Sequence, residues 1–396
     1  MIASTPSFRR VLIMSASAGN GHVKAAQALE EAVRMKHPDV EVKNIDAFKF
    51  ISTPLRKLYA DGYIHMVNKM PDSLGILYDH LDKPWQNEKS RLAFHRANAS
   101  KLTDQILAYK PDLIINTHFL PAEITSSLLC RKKIDAASAI VVTDFDAHAM
   151  WLCRHYDRYF VHLEEAKIHL ASMGIHEDSI QVTGIPISPV FAERKSKLEM
   201  RQKYGLDVNR TTILLSAGGY GVGPMEQILK EMMHVNQSFQ VIALCGKNAR
   251  LKDRVEALAR TAPPKLKILA VAYTDKVDEY MSASDILLGK PGGLTTCEAL
   301  AKELAFVIVN PIPGQEERNS DHLLEQGAAI RINNMPALAF KLDRVVWQEN
   351  CLDLMRERSW LMSHPRAAEN IIESLASCNK YSGTVTTLNH NCRKTA

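Results

Sequence analysis

The chain has 396 residues, 46 % of them hydrophobic and 23 % charged, with a formal net charge of +5. That is too long for one ordinary core and has the make-up of globular protein, so two domains are expected, and the mild positive excess does not by itself argue for nucleic acid. Seven cysteines lie far apart with no C-x-x-C pair, which argues against a zinc or disulfide framework and suits reduced thiols in a cytosolic protein better, and no apolar run approaches the roughly 20 residues a membrane span needs.

In chain order, Val11 to Met14 reads as a first strand and residues 15–22, SASAGNGH, as a loop of small residues. Ala25, Ala26, Leu29 and Val33 recur at helical spacing behind it, so His22 falls at a helix start facing the loop Gly19-Asn20-Gly21. A helix N-terminus disfavours an imidazolium, and a neutral ring with a free nitrogen is the setting of a general base. The same position also suits a plain cap or a satisfied polar group.

Residues 46–96 differ in texture, mixing Phe48, Phe50, Tyr59, Tyr63, Tyr78 and Trp85 with Lys49, Arg56, Lys57, Lys69 and Lys83. Rings and cations on one amphipathic surface fit an anionic membrane interface. Asp61, Asp72, Asp79 and Asp82 largely cancel the charge, and helices packed on the domain with ordinary solvated charges fit as well.

Strand and helix alternate again from Asp112. Strands are expected in DLIINTH, in the run ending Val141-Val142-Thr143-Asp144, over Tyr159 to His162 and at Gln181. Asp144, followed by Asp146, His148 and Trp151, could orient or relay a proton; Asp146 and His148 also admit a metal reading, though no further ligand cluster lies within reach in the sequence. Residues 191–206 are charged and helical and read as a linker. A second set of strands follows at Thr212 to Ser216, Gln240 to Cys245, Leu266 to Val271, Ile286 to Leu288 and Phe306 to Val309. Such alternation implies two parallel, doubly wound α/β sheets.

Two glycine turns in the second half open onto helices: residues 217–223, AGGYGVG, and Lys290-Pro291-Gly292-Gly293. A helix start behind glycines is an anion site, since free N–H groups point outward and no Cβ blocks approach, so a phosphate or diphosphate is the natural guest. Glu298, further along that helix, could accept from ribose hydroxyls. A turn needed only for chain reversal is the competing reading. The loop 311–319, PIPGQEERN, follows the next strand and should open at the same carboxyl edge, where open α/β sheets bind ligands.

The blocks SASAGNGHVKAAQAL, VTDFDAHAMW, VTGIPI, GKPGGLTTCEAL and NPIPGQEERN, in this order over nearly the whole chain, resemble the monogalactosyldiacylglycerol synthase and processive diacylglycerol glucosyltransferase family, related to the N-acetylglucosaminyltransferase that makes lipid II. The resemblance implies a glycosyltransferase B fold with two Rossmann-like domains facing across a cleft. Residues 1–190 would bind acceptor and membrane, 191–210 link, 211–340 bind the UDP-sugar, 341–380 form C-terminal helices and 381–396 a flexible tail.

The resemblance further implies that His22 is the catalytic base and that Asp144 matches the family's acidic strand end. Gly218, Gly219, Gly292 and Gly293 would line the diphosphate, and Glu298 would take the ribose. Gln315 and Glu316 would bind the sugar hydroxyls and Tyr273 would lie beside uracil, with Tyr220 and Thr295 in the same UDP-sugar site. Two departures stand out: the family's glycine loop is often G-G-G-H where this chain has Gly19-Asn20-Gly21-His22, and Asp146 stands where other residues are usual.

The expected activity is inverting transfer of a hexose, glucose or galactose, from a UDP-sugar to diacylglycerol. It would take place at the cytoplasmic face of the membrane, with no obligatory metal or other cofactor, no nucleic-acid partner and hinge closure near residues 187–206. Another lipid or polyprenyl acceptor, or a nucleotide-sugar-binding protein that has lost catalysis, are the alternatives.

Overall fold

A computed structural model describes residues 6–59, 71–86, 88–216, 218 and 224–377. The chain divides into two compact units, the first of residues 1–189, 313–315 and 366–396, the second of residues 190–312 and 316–365.

The first unit holds a sheet of six parallel strands in the order β2-β1-β3-β4-β5-β6. Its strands are β1 (Arg10–Ser15), β2 (Glu41–Asp46), β3 (Leu113–Asn116), β4 (Ala137–Val141), β5 (Arg158–Val161) and β6 (Ile180–Val182). The inner strands are almost wholly buried, as in Leu113–Asn116, apolar at its first three positions and buried at all four, because helices cover both faces. The second unit repeats the plan with β7 (Thr211–Ser216), β8 (Phe239–Leu244), β9 (Leu266–Val271), β10 (Ile286–Gly289), β11 (Ala305–Val309) and β12 (Ala329–Ile332), in the order β12-β11-β10-β7-β8-β9. Read from its own first strand this is the 3-2-1-4-5-6 order of dinucleotide-binding folds, whereas the first sheet follows the 2-1-3-4-5 order with one strand added.

Each order reverses at one place, between β1 and β3 in the first sheet and between β7 and β10 in the second. At such a reversal the connections leave in opposite directions and open a crevice beyond the carboxyl ends of the strands.

Two edge strands went unforeseen. In β2 only Ile45 is buried, and in β12 the central residues Ile330 and Arg331 are half-exposed, so neither shows the apolar run of a buried strand.

The charged segment read as a linker is built into the second unit. Within the helix Lys197–Lys203, Arg201 is buried; its guanidinium meets Asp285 Oδ2 at 2.5 Å and donates to the Ala283 carbonyl at 3.0 Å. Lys197 meets the other Asp285 oxygen at 2.5 Å, Lys195 pairs with Asp278, and the Tyr204 hydroxyl reaches Glu279 at 2.5 Å. Ion pairs with a buried partner bind this segment to the helix Val277–Ala283 and to Asp285 just before β10, and the changeover between units falls at Pro189 and Val190.

The C-terminal helices also divide. Leu338–Trp347 and Cys351–Leu361 pack on the second core, while Ala367–Ser377 returns to the first unit. There Ala368, Ile371, Ile372 and Leu375 join the core under the helix α1 (Asn20–Lys36), and Lys36 pairs with Glu369 at 3.2 Å and Glu373 at 2.9 Å. The expected tail, residues 381–396, lies outside the described residues.

Candidate active site

At the first sheet's reversal, β1 runs out through Ser15 into the small-residue loop, and α1 begins at Asn20 with Gly19 as its N-cap in extended geometry. His22 thus sits in the first turn of α1, above the carboxyl ends of β1 and β3. Its Nδ1 lies 2.9 Å from the Thr117 carbonyl, just past β3, and 2.7 Å from the Thr143 hydroxyl, just past β4. A carbonyl oxygen only accepts, so Nδ1 carries the proton and Nε2 keeps its lone pair. Thr117 grips the residue a second time, its hydroxyl donating to the His22 carbonyl at 2.9 Å.

Around this ring the site is apolar and aromatic. His118 meets His22 edge to face, with centroids 4.7 Å apart, and Trp151 lies 6.4 Å away. Desolvation lowers the His22 pKa to about 4, against a smaller upward effect of the Thr117 hydrogen bond. His118 is pushed well below its ordinary value by burial and by its imidazole neighbours, and its Nδ1 accepts from Leu120 N as the cap of the helix Phe119–Cys130.

Asp144, next in the chain after Thr143, is only 8 % exposed. Burial raises its pKa to about 7, the Trp151 side chain hydrogen-bonding the carboxyl and opposing the rise while the charge of Asp146 adds to it. Its Oδ1 has no partner among the described residues. The first unit therefore gathers a neutral imidazole and a carboxyl poised near neutrality at one crevice.

Neither nitrogen of His148 is available to a metal. Nδ1 accepts from Met150 N at 3.0 Å and Nε2 faces the Tyr78 carbonyl at 2.9 Å. Among the described residues no group of three or more His, Cys, Asp or Glu could hold a metal ion.

Gly19 and Gly21 stand open, since a Cβ built on either meets nothing within 4 Å. Neither has the positive φ that would itself require glycine, and Asn20 between them is exposed.

In the second unit a cavity of about 190 Å³ opens at the reversal between β7 and β10. Ser216 borders it at the end of β7 and Gly218 just beyond, Lys290, Gly292 and Thr295 beyond β10, and Glu316 from the helix Gln315–Glu325. Gly292 caps the helix Gly293–Ala301 without any side-chain bond, leaving first-turn N–H groups to a guest. The turn before it is held from behind by Asn319, whose side chain donates to the Pro291 carbonyl at 2.9 Å. Glu316 Oε2 accepts from Ile312 N at 2.7 Å, and burial raises its pKa. Whole-ligand pockets begin at about 300 Å³, so this cavity is the subsite for one group of a larger guest.

Not every expected donor residue reaches that cavity. Gly218, Gly292, Thr295 and Glu316 line it; Gly293 opens the helix and Glu298 is half-buried one turn past Thr295. Gln315 begins the following helix. Tyr273, beyond β9, is 56 % exposed with Lys247 over its ring at 5.1 Å. Gly219 and Tyr220 lie outside the described residues.

The aromatic surface expected in residues 46–96 is largely turned inward. Phe48 is buried, Tyr59 bonds His95 Nε2 at 2.9 Å, Tyr78 packs on His148, and Trp85 donates to the Met173 carbonyl at 2.8 Å beneath Arg154. A different set of side chains faces outward: Leu58, Ile76, Leu77, Leu81 and Phe94 are 39 to 73 % exposed. Tyr63, Lys69, Asp61 and the side chain of Asp72 are outside the description. Thr117, Thr143 and His118 were not foreseen as site residues, although each directly follows, or lies within two residues of, the carboxyl end of an apolar strand.

Residues 22–187 match the family model for monogalactosyldiacylglycerol (MGDG) synthase, and residues 224–371 that for the glycosyltransferase family 28 C-terminal domain. A processive diacylglycerol beta-glucosyltransferase of Bacillus subtilis (strain 168) is 30 % identical over 375 residues, 93 % of this chain and 94 % of the relative. The chain belongs to this glycosyltransferase family. The same-named protein of Bacillus cereus (strain AH820) is also 30 % identical, over 376 residues. Among solved structures, Acinetobacter baumannii MurG aligns over 93 % of this chain and 99 % of its own with a TM-score of 0.60 at 15 % identity, and Anabaena HepE in complex with UDP-glucose over 93 % and 100 % with 0.52 at 10 %. These likenesses bear out the glycosyltransferase B fold with its two Rossmann-like domains. As a family 28 glycosyltransferase, the chain is an enzyme that uses a nucleotide-activated sugar.

Proposed function

We propose that this glycosyltransferase moves a hexose from a UDP-sugar to the hydroxyl of diacylglycerol with inversion, making a β-glycosyl diacylglycerol. The observation that carries the reading is the His22 ring, whose Nδ1 proton is committed to Thr117 and whose Nε2 lone pair is free at a strand-order reversal. In the reaction Nε2 takes the proton of the acceptor hydroxyl as its oxygen attacks the anomeric carbon. The bond from that carbon to the diphosphate breaks, and UDP leaves with the electron pair. The leaving charge is met by the N–H groups at Gly292 and Gly293 and by Lys290. These residues do this work without calling on a metal. Glu298 takes the ribose, Gln315 and Glu316 the sugar hydroxyls, Tyr273 the base, and the open segment Gly19-Asn20-Gly21 at the start of α1 gives the acceptor head its room. The relatives' names favour glucose as the hexose.

Leu58, Ile76, Leu77, Leu81 and Phe94 form the face that meets the lipid surface, at the cytoplasmic side of the membrane, in place of the aromatic residues expected there. Among the described residues no helix is long and apolar enough to cross a membrane, which suits an enzyme bound to the surface. The test is an assay with radiolabelled UDP-glucose and UDP-galactose, each offered with diacylglycerol in anionic vesicles, the lipids then separated by chromatography. A labelled glycolipid with UDP-glucose is expected. Donor hydrolysis with no lipid product from either sugar would refute the acceptor.

A further inference from the structure

A catalytic imidazole is usually oriented by a carboxylate on its second nitrogen, which fixes the tautomer and offsets the charge that forms. At His22 both Nδ1 partners are neutral, a main-chain carbonyl at 2.9 Å and a hydroxyl at 2.7 Å, drawn from two strand ends. The hydroxyl of Thr117 closes the arrangement by donating to the His22 carbonyl at 2.9 Å, so the ring and its own backbone are both tied to the β3 end. Thr117 and Thr143 are 0 % and 6 % exposed. Neither hydroxyl is a surface decoration, and each has a hydrogen bond to His22.

We propose that Thr117 and Thr143 are the positioning residues of this enzyme, a charge-free cradle that fixes His22 in the Nδ1–H tautomer and aims Nε2 at the acceptor hydroxyl. The proposal rests on His22 being the base. Because the Thr117 carbonyl can only accept, the opposite tautomer would set two lone pairs against each other in a desolvated site. The Thr143 hydroxyl takes a second share of the same N–H, and it is the partner a side-chain substitution can remove. A cradle of dipoles leaves the imidazolium formed during transfer without a counter-charge at Nδ1, which favours rapid loss of the proton once the sugar has moved.

The test compares Thr143→Val, Thr143→Ser, Thr117→Val and His22→Ala in the glycolipid assay, with UDP affinity and thermal melting measured alongside. Thr143→Val is expected to lower kcat by about 10²-fold, the scale of a misdirected reacting group, with KM for the UDP-sugar unchanged. Thr143→Ser should recover most of that loss, and Thr117→Val should fall in kcat likewise. Wild-type kcat in folded Thr143→Val, with His22→Ala inactive, would overturn the cradle while leaving the base in place; activity in His22→Ala would instead sink the base. Should Thr143→Val fail to fold, ¹⁵N NMR of histidine-labelled wild-type enzyme decides. A protonated Nδ1 and a bare Nε2 at His22 are expected, and the reverse tautomer would refute the proposal.

Discussion

The two sheets reverse strand order by the same topological device, yet the crevices they open are furnished from opposite stocks. In the first unit the crevice is lined by side chains, with an imidazole, two threonine hydroxyls and a carboxyl locked by hydrogen bonds and burial. The second sets Gly218 and Gly292 beside a helix start with no side-chain cap, its first-turn N–H groups open, among bordering residues such as Ser216, Lys290, Thr295 and Glu316. The contrast follows from the two tasks. A proton is moved by one atom of tuned basicity, whereas a diphosphate spreads its charge over several oxygens that backbone N–H groups meet without reorganising.

The comparison breaks most sharply at His22. His22→Ala should reduce transfer by about 10³-fold, within the range of a general base, while UDP binding stays within twofold. Equal loss of both, measured by turnover and calorimetry, would make the first crevice structural. The converse belongs to Gly292, whose φ of −67° suits any residue and whose added Cβ would come no nearer than 3.8 Å to Glu316. Gly292→Ala should therefore fold normally, yet its methyl would project toward the diphosphate subsite and weaken UDP about tenfold, the value of about 1.4 kcal/mol. Unchanged affinity would move the diphosphate elsewhere.

A pH profile sharpens the assignment within the first crevice. His22 stays neutral in the free enzyme down to about pH 4 and Asp144 titrates at about 7. An acid limb of kcat/KM near 7 that disappears in Asp144→Asn would assign an essential carboxylate, whereas activity flat from pH 7.5 to about 5.5 would leave His22 as the sole titrating requirement.

The smallest effect is on stability. A carboxyl whose folded pKa lies above its unfolded value destabilises the fold once pH rises past the unfolded value, and fully above the folded one. Asp144→Asn should thus raise the melting temperature by a few degrees at pH 8 and change it little near pH 3, where the carboxyl is mostly protonated in both states. A gain independent of pH would mean that Asp144 is not destabilised by burial.

Most of this plan was legible in the chain because buried parallel strands announce themselves as apolar runs and glycine turns announce the crevices between them. His22 and Gly292 were found because a helix start leaves a mark in sequence. Thr143 and Thr117 were not, since a threonine beside a strand end looks the same whether its hydroxyl meets a catalytic ring or a backbone carbonyl. Only the pairing of β1, β3 and β4 brings residues 22, 117 and 143 together. The aromatic residues of 46–96 misled for the related reason that composition does not say which way a side chain faces. Arg201 misled too, because a charged helix reads as solvated until its partner Asp285, far along the chain, is known.

The return of the helix Ala367–Ser377 to α1 sets the order in which this protein can be made. On a ribosome the second unit has all of its residues before the first does, although the first began to emerge earlier. The helix bearing His22 must wait, its apolar flank bare, until Ile371, Ile372 and Leu375 leave the exit tunnel. A fragment stopped at residue 189 would carry every residue of the proposed catalytic cluster and lack the helix that closes the core beneath it, whereas a circular permutant opening near residue 366 and joining the old ends would give the first unit one continuous stretch of chain for all but residues 313–315.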